Sequence, residues 1–177
     1  MSNIMDRGPL VKMLLDVPLF EDLDYTQVGA MIDIAKLYKP APGEVVCQSR
    51  TVDENLLVLL EGVLRLESAS GKYLESLYPV RVLGEMGVFT GQVRSSRVVA
   101  EEGTHLMVIP AFGLQELLDE DPQFAHHLLS SLIKLLYMRL HDVNEEMMHT
   151  NEMVARLKNR VCELSPDDPL ILELFPE

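Results

Sequence analysis

The chain changes texture at Pro40 and changes back at Pro110, and this double switch constrains the fold more than any other feature. Between the two prolines, short apolar runs alternate with Gly, Pro, Ser and Asn. The runs are Val45-Val46, Leu56–Leu60, Leu64-Arg65-Leu66, Tyr73–Tyr78, Val98–Ala100 and Leu106–Ile109. They have strand length and turn formers separate them, so the spacing predicts a small antiparallel β-roll or jelly-roll barrel.

Both flanks read as helix, which makes the fold class α+β. Leu10, Met13, Leu14, Val28, Met31, Ile32 and Ala35 give helical spacing over residues 9–38, broken at Val17-Pro18. After Pro110, Ala111–Leu118 makes a short helix, and Asp119-Glu120-Asp121-Pro122 opens a long one with proline in its first turn. From Leu136 the apolar positions run Leu136, Leu140, Val143, Met147, Thr150, Val154, Leu157, Val161 and Leu164, stepping by four and three. Thr150 alone is polar. The pattern is a heptad seam of about four repeats.

Val154 and Val161 at a, with Leu157 and Leu164 at d, favour a parallel pair. The flanking Tyr137, Asn144, Glu146 and Met153 form few obvious ion pairs, so pairing is argued from the seam alone. The other reading is one amphipathic helix lying on its own barrel, but a seam this long would overrun a barrel of about 70 residues. Ser165-Pro166 is expected to stop the helix. The tail after it is acidic and apolar in turn, and either folds back onto the domain or docks on a partner.

The segment Gly84-Glu85-Met86-Gly87-Val88-Phe89-Thr90-Gly91-Gln92-Val93-Arg94-Ser95-Ser96 interrupts the strand array with a different chemistry. It brings together a carboxylate, a guanidinium, two hydroxyls and glycines that let backbone come close to a ligand. Those are the groups a sugar phosphate needs. An arginine fork holds phosphate by paired charge-assisted bonds, and a carboxylate only accepts hydrogen bonds, so it suits a ribose hydroxyl. A short helical turn starting near Glu85 would aim its N–H groups at an anion. Arg94 sits among Val93, Val98 and Val99, so its head is expected to point inward and to need a counter-anion. That anion is either a bound phosphate or the carboxylate of Glu85.

The order Gly-Glu-(apolar)-(small)-(apolar), then Arg and a small residue, resembles the phosphate-binding cassette of the cyclic nucleotide-binding domain family. The resemblance extends to Val17–Leu23, like the family's opening helix, and to Lys39–Val46, like its lead into the barrel. It also includes Leu56–Leu66, a strand–turn–strand with Gly62 at the corner. In all it spans about residues 15 to 145, and it is nearest to sensor domains of the catabolite activator type.

The resemblance implies a cyclic nucleotide, cAMP or cGMP, held by Gly84, Glu85, Met86, Gly87, Arg94, Ser95 and Ser96, with no further cofactor and no metal. Glu85 would take the ribose 2′-hydroxyl, and Arg94 and Ser95 the phosphate. Ser96 replaces the more usual alanine, and either helps the ligand or caps a turn. The family closes its site with a side chain from the long helix. A similar offset from Arg94 lands near Arg139, whose other reading is a solvated or ion-paired arginine. Ser49-Arg50 stands where the family commonly has Gly-Asp, a change expected to touch a surface turn and not the site.

The remaining features set boundaries. A net charge of −13 opposes binding to nucleic acid. No apolar run reaches the roughly 18 residues of a membrane span, and the N-terminus lacks the layout of a signal peptide. Cys47 and Cys162 are far apart in sequence and read as reduced thiols of a cytoplasmic protein. The five histidines (105, 126, 127, 141 and 149) show no metal-ligand spacing, and no nucleophile elbow, Walker loop or dinucleotide fingerprint occurs. The chain is therefore read as non-enzymatic.

Bacterial relatives of this architecture commonly place a helix-turn-helix domain after the long helix. The dozen or so residues after Leu164 leave no room for one, so output is expected through dimer helices or a partner protein. The expected organisation is a binding domain over 1–145 with the cassette at 83–97. A long helix over 123–164 dimerises from residue 136, and a tail covers 165–177. The competing expectation is a barrel that has lost its ligand and acts only as a dimerisation module.

Overall fold

The domain is arranged around β3 (Asn55–Glu61). The structure, a computed structural model, describes residues 7–52 and 55–164. Leu56 through Leu60 are all buried, so β3 is covered on both faces. That is why its sequence reads as an unbroken apolar run and not as an alternation. β3 lies between β8 (His105–Pro110) and β6 (Arg81–Leu83), and β1 (Lys36–Tyr38) pairs with the other edge of β8. The second sheet runs β2 (Val45–Cys47), β7 (Arg97–Ala100), β4 (Leu64–Glu67) and β5 (Tyr73–Leu77). Each sheet has four strands, and every pairing is antiparallel.

The two sheets share one apolar interior. Cys47, Leu64, Leu77, Val98 and Ala100 from the second sheet meet Leu59 and Leu106 from the first. Each of the leucines and the valine stabilises the fold by about 1.5–3 kcal/mol on burial. The β3–β4 corner needs Gly62. Its φ is +82°, and a Cβ there would lie 2.5 Å from the Thr104 Cα.

Helices cover the outer face of the first sheet. α1 (Arg7–Leu15) buries Leu10, Val11 and Leu14, and α2 (Tyr25–Ile34) buries Val28 and Met31. Asp24 and Gln27 close a capping box at the start of α2, as their sequence spacing favours. α4 (Ala111–Glu120) follows β8 directly, and α5 (Pro122–Leu164) follows α4. The opening turns of α5 bury Phe124, Leu128 and Leu132, and Ser131 Oγ donates to Asp22 at 3.0 Å.

The chain divides into two compact units between Leu132 and Ile133, inside α5. In the second unit the seam side chains Leu140, Val143, Met147, Val154, Leu157, Val161 and Leu164 are 41–69% exposed. The tail from Ser165 onward lies outside the described residues.

Most expected runs became strands, with three differences. Lys36–Tyr38 is strand and not the end of a helix: Ala35 caps α2 in extended geometry, and Lys36 then pairs with Val108. Residues 17–23 form turns instead of an opening helix, held by Phe20 N–H to Val17 O (2.8 Å) and Leu23 N–H to Phe20 O (3.0 Å). β6 carried too little apolar sequence to stand out, and forms because Leu83 and Val82 pair with Leu57 and Val58 of β3.

Asp121 caps α5 by accepting from the N–H groups of Gln123 (2.8 Å) and Phe124 (3.1 Å). Its carboxyl is held below the ordinary aspartate range, chiefly by the Phe124 N–H, with Gln123, Gln27 and the His127 charge adding and partial desolvation opposing. A depressed folded-state pKa stabilises above the ordinary value, and that contribution is lost as pH falls through the folded value. Asp121→Ala is therefore expected to lower the denaturation midpoint at pH 7 and to flatten the acid limb below about pH 4. Urea titrations across pH check both effects.

Candidate functional site

The cassette begins where β6 ends. Gly84 follows Leu83 with φ +90° and is the N-cap of α3 (Glu85–Thr90), a short helix closed by Gly91 at φ +68°. Only a residue tolerant of positive φ can turn the chain this sharply between strand and helix. Val88 N–H reaches Gly84 O (3.1 Å) and Gly91 N–H reaches Gly87 O (2.9 Å), closing the two ends. Met86 and Gly87 are half-buried within the helix.

Glu85 and Arg94 are two of the few buried charged residues, 4% and 7% exposed. The Arg94 guanidinium lies flat on Gly84: a Cβ there would stand 1.8 Å from Nη1 and 2.5 Å from Cζ. Nη2 donates to the carbonyl of Asn55, the first residue of β3. Gly84 is thus glycine for two reasons, its positive φ and the arginine head packed against it.

Arg94 is not part of a strand. It stands in the connection 91–96 before β7, and Val93 beside it is 54% exposed, so the inward head does not follow from an apolar strand as expected. The cause is the backbone. Arg94 N–H donates to Thr51 O (2.9 Å) and its carbonyl accepts from Arg50 N–H (2.8 Å). The Ser49-Arg50 turn, expected to be remote from the site, therefore anchors the key residue, and Arg50 adopts φ +61° to do so. A non-glycine residue in that region is uncommon. Nothing in the identity of Arg50 signals this, because the bonds are backbone to backbone.

Ser95 is exposed and Ser96 half-buried, both in the two-residue lead from Arg94 into β7. Gly84, Glu85, Met86, Gly87, Arg94, Ser95 and Ser96 thus come from one short helix and one anchored connection within the first unit. Arg139 is half-buried on α5 in the second unit. A cavity of about 320 Å³ lies between α3 and α4, lined by Val88, Phe89, Phe112, Leu114 and Leu118 among others. Its lining is apolar apart from Gln115 and lacks the cassette's charged residues, so it is not a phosphate site.

Among the described residues no cluster of three His, Cys, Asp or Glu could hold a metal ion, and no helix is long and apolar enough to cross a membrane.

Residues 39–121 match the model of the cyclic nucleotide-binding domain. The fold is that of catabolite activator-like proteins. The catabolite activator protein of Thermus thermophilus superposes with a TM-score of 0.64 at 24% identity, covering 76% of this chain and 63% of that one. The N-terminal domain of a transcriptional regulator from Streptomyces coelicolor A3(2) gives 0.64 at 25%, covering 76% and 94%. A putative cyclic nucleotide-binding protein from Geobacter metallireducens gives 0.63 at 20%, covering 78% and 100%. The chain thus spans less than two thirds of the Thermus protein. No curated protein sequence matches it.

Gly84 and Gly71 separate the two constraints on the cassette glycine. Both have positive φ, +90° and +80°, but a Cβ at Gly71 meets open space. Gly71→Ala is expected to cost about 1 kcal/mol of backbone strain. Gly84→Ala should cost about 3 kcal/mol or more, because it also unseats a buried guanidinium. Equal losses in chemical denaturation would show that Arg94 does not rest on Gly84.

Proposed function

We propose that this protein is a non-enzymatic sensor of a cyclic nucleotide, cAMP or cGMP, that dimerises through α5 and signals to a partner protein. One observation carries this reading: Glu85 and Arg94, nine residues apart, are both buried at the Gly84 turn, in a domain that matches the cyclic nucleotide-binding family. In the proposed site Arg94, with Ser95 and Ser96, holds the cyclic phosphate by charge-assisted bonds. Glu85 accepts from the ribose 2′-hydroxyl, and Met86 and Gly87 present backbone on the first turn of α3. Arg139 is proposed as the base-side contact, from its sequence offset alone. The net charge of −13 disfavours nucleic acid as a partner, and a cytoplasmic setting fits the two free cysteines.

A second reading has its own support. The Arg94 head already packs on Gly84 and donates to Asn55 O, so the protein itself holds the arginine. A module of this shape that binds nothing and serves only to dimerise would show the same contacts.

Calorimetric titration with cAMP and cGMP decides between the two. The sensor reading expects saturable micromolar binding that Arg94→Ala abolishes. A ligand at about 100 times its Kd should add roughly 2.7 kcal/mol of stability. Silence with both nucleotides in a folded protein would leave the dimerisation module.

The exposed seam on α5 generates a separate expectation. Sedimentation should give a dimer, and Leu157→Lys, which places a charge at a d position, should give a monomer. Binding is proposed to shift the population of helix arrangements. Identical hydrogen-exchange protection along residues 125–164 with and without nucleotide would refute that coupling.

A further inference from the structure

β5 carries a residue at odds with the inner face it occupies. Leu64 and Leu77 stand opposite each other across β4 and β5, and both belong to the interior cluster. Side chains alternate along a strand, so the next inward pair is Leu66 and Glu75. On the other edge of β4, Leu66 stands opposite Val98, another interior residue. Val98, Leu66 and Glu75 thus form one row across three strands, with two apolar members and one carboxylate.

The irregularity in this ladder falls after that row, between Leu66 and Glu67, and does not turn Glu75 outward. The outer face has its own polar chemistry. Glu67 bonds Arg65 at 2.9 Å and Arg97 at 3.0 Å, and the Tyr73 hydroxyl lies 3.3 Å from Ser76 Oγ. Glu75 belongs to none of these pairs and is exposed.

The surroundings describe what this carboxylate could meet. Val46, Leu66 and Leu83 are only partly buried although they pack on the interior cluster. Of these, Leu66 stands opposite Glu75, so the carboxylate has an apolar neighbour, and an apolar surface with one polar group is the usual composition of a small-molecule site. Ser95 and Ser96 lead straight into β7, and two strand spacings set β5 about 10 Å from β7. That separation is of the order of the distance from the phosphate to the Watson–Crick edge of a nucleotide.

The chemistry of the base then decides. A carboxylate only accepts hydrogen bonds. Guanine offers it two adjacent donors, N1–H and the 2-amino group, which match its two oxygens. Adenine presents an N1 lone pair beside its amino group, so one oxygen meets another acceptor. We propose that Glu75 reads the base edge and makes the site select guanine, hence cGMP over cAMP. This inference rests on the cyclic nucleotide reading above and names the ligand of that same site.

The test is calorimetric titration of the full chain with cGMP, cIMP and cAMP, repeated on Glu75→Gln. Wild type should prefer cGMP over cAMP on the order of ten- to a hundredfold. cIMP keeps N1–H but lacks the amino group, and should fall between. Glu75→Gln should weaken cGMP and leave cAMP unchanged or tighter, removing most of the preference. A wild-type preference for cAMP overturns the assignment, as does a cGMP-to-cAMP ratio that Glu75→Gln leaves unchanged. In both of those cases the nucleotide reading stands. Binding of none of the three by wild type overturns that reading and the assignment together. Thermal melts of Glu75→Gln establish that a changed ratio comes from the base contact and not from the fold.

Discussion

The cassette depends on the packing of the Arg94 guanidinium onto the bare Cα of Gly84. A buried cation is costly unless polar groups surround it, and here the backbone supplies some of them. β3 contributes the Asn55 carbonyl, and the 50–51 turn fixes the arginine's own N–H and C=O. The arginine is thereby tied at once to the strand on which the first sheet is built, to the β2–β3 connection and to the cassette turn. Its rotamer is set by the barrel, so any anion that reaches it meets a group whose ordering entropy is already spent.

The same packing explains why cassette and barrel cannot vary independently. α3 has only six residues and no side-chain N-cap, too little to be a stable helix alone. It persists because Gly84 hands it over from β6 at a defined angle and because its first residue, Glu85, is buried. α3 also borders a solvent-open groove of about 320 Å³ shared with α4. It is thus a short helix, bounded by glycine at both ends, whose side toward α4 faces that groove. Local stability is expected to be low in such a part, and ligand-responsive segments are usually drawn from there.

Much of this was legible in the sequence. The Pro40 and Pro110 boundaries, six of the eight strands and the two C-terminal helices could be read because apolar periodicity and turn residues coincide there. β1 and β6 could not. Each has three residues, and only their partners β8 and β3 make them strands. The cassette residues were legible because glycines, a carboxylate and an arginine at that spacing are rare outside such a turn. The role of residues 50 and 51 was hidden, since backbone hydrogen bonds leave no mark on side-chain identity. The inward placement of Glu75 was hidden too: it needs the β4–β5 register, and Leu74-Glu75-Ser76 alone suits either face.

The charge of the chain fits a recognition mechanism based on contact. At −13 the protein repels an approaching phosphate at long range. Under physiological salt that repulsion is screened beyond about 8 Å, so what matters is the local arrangement. In the proposed site a buried guanidinium in a low-dielectric setting faces the phosphate, where a single cation has far more effect than in water. Glu75 carries the opposite charge two strands away, where only the base would reach it. With Arg94 and Glu85 taking the sugar phosphate at one end and Glu75 at the other, such a site orients a ligand that is anionic at one end and a hydrogen-bond donor at the other. A free phosphate gains nothing from the second end. In the proposed site, discrimination would therefore come from the separation of Arg94 and Glu75 across the barrel face, and not from the surplus negative charge elsewhere.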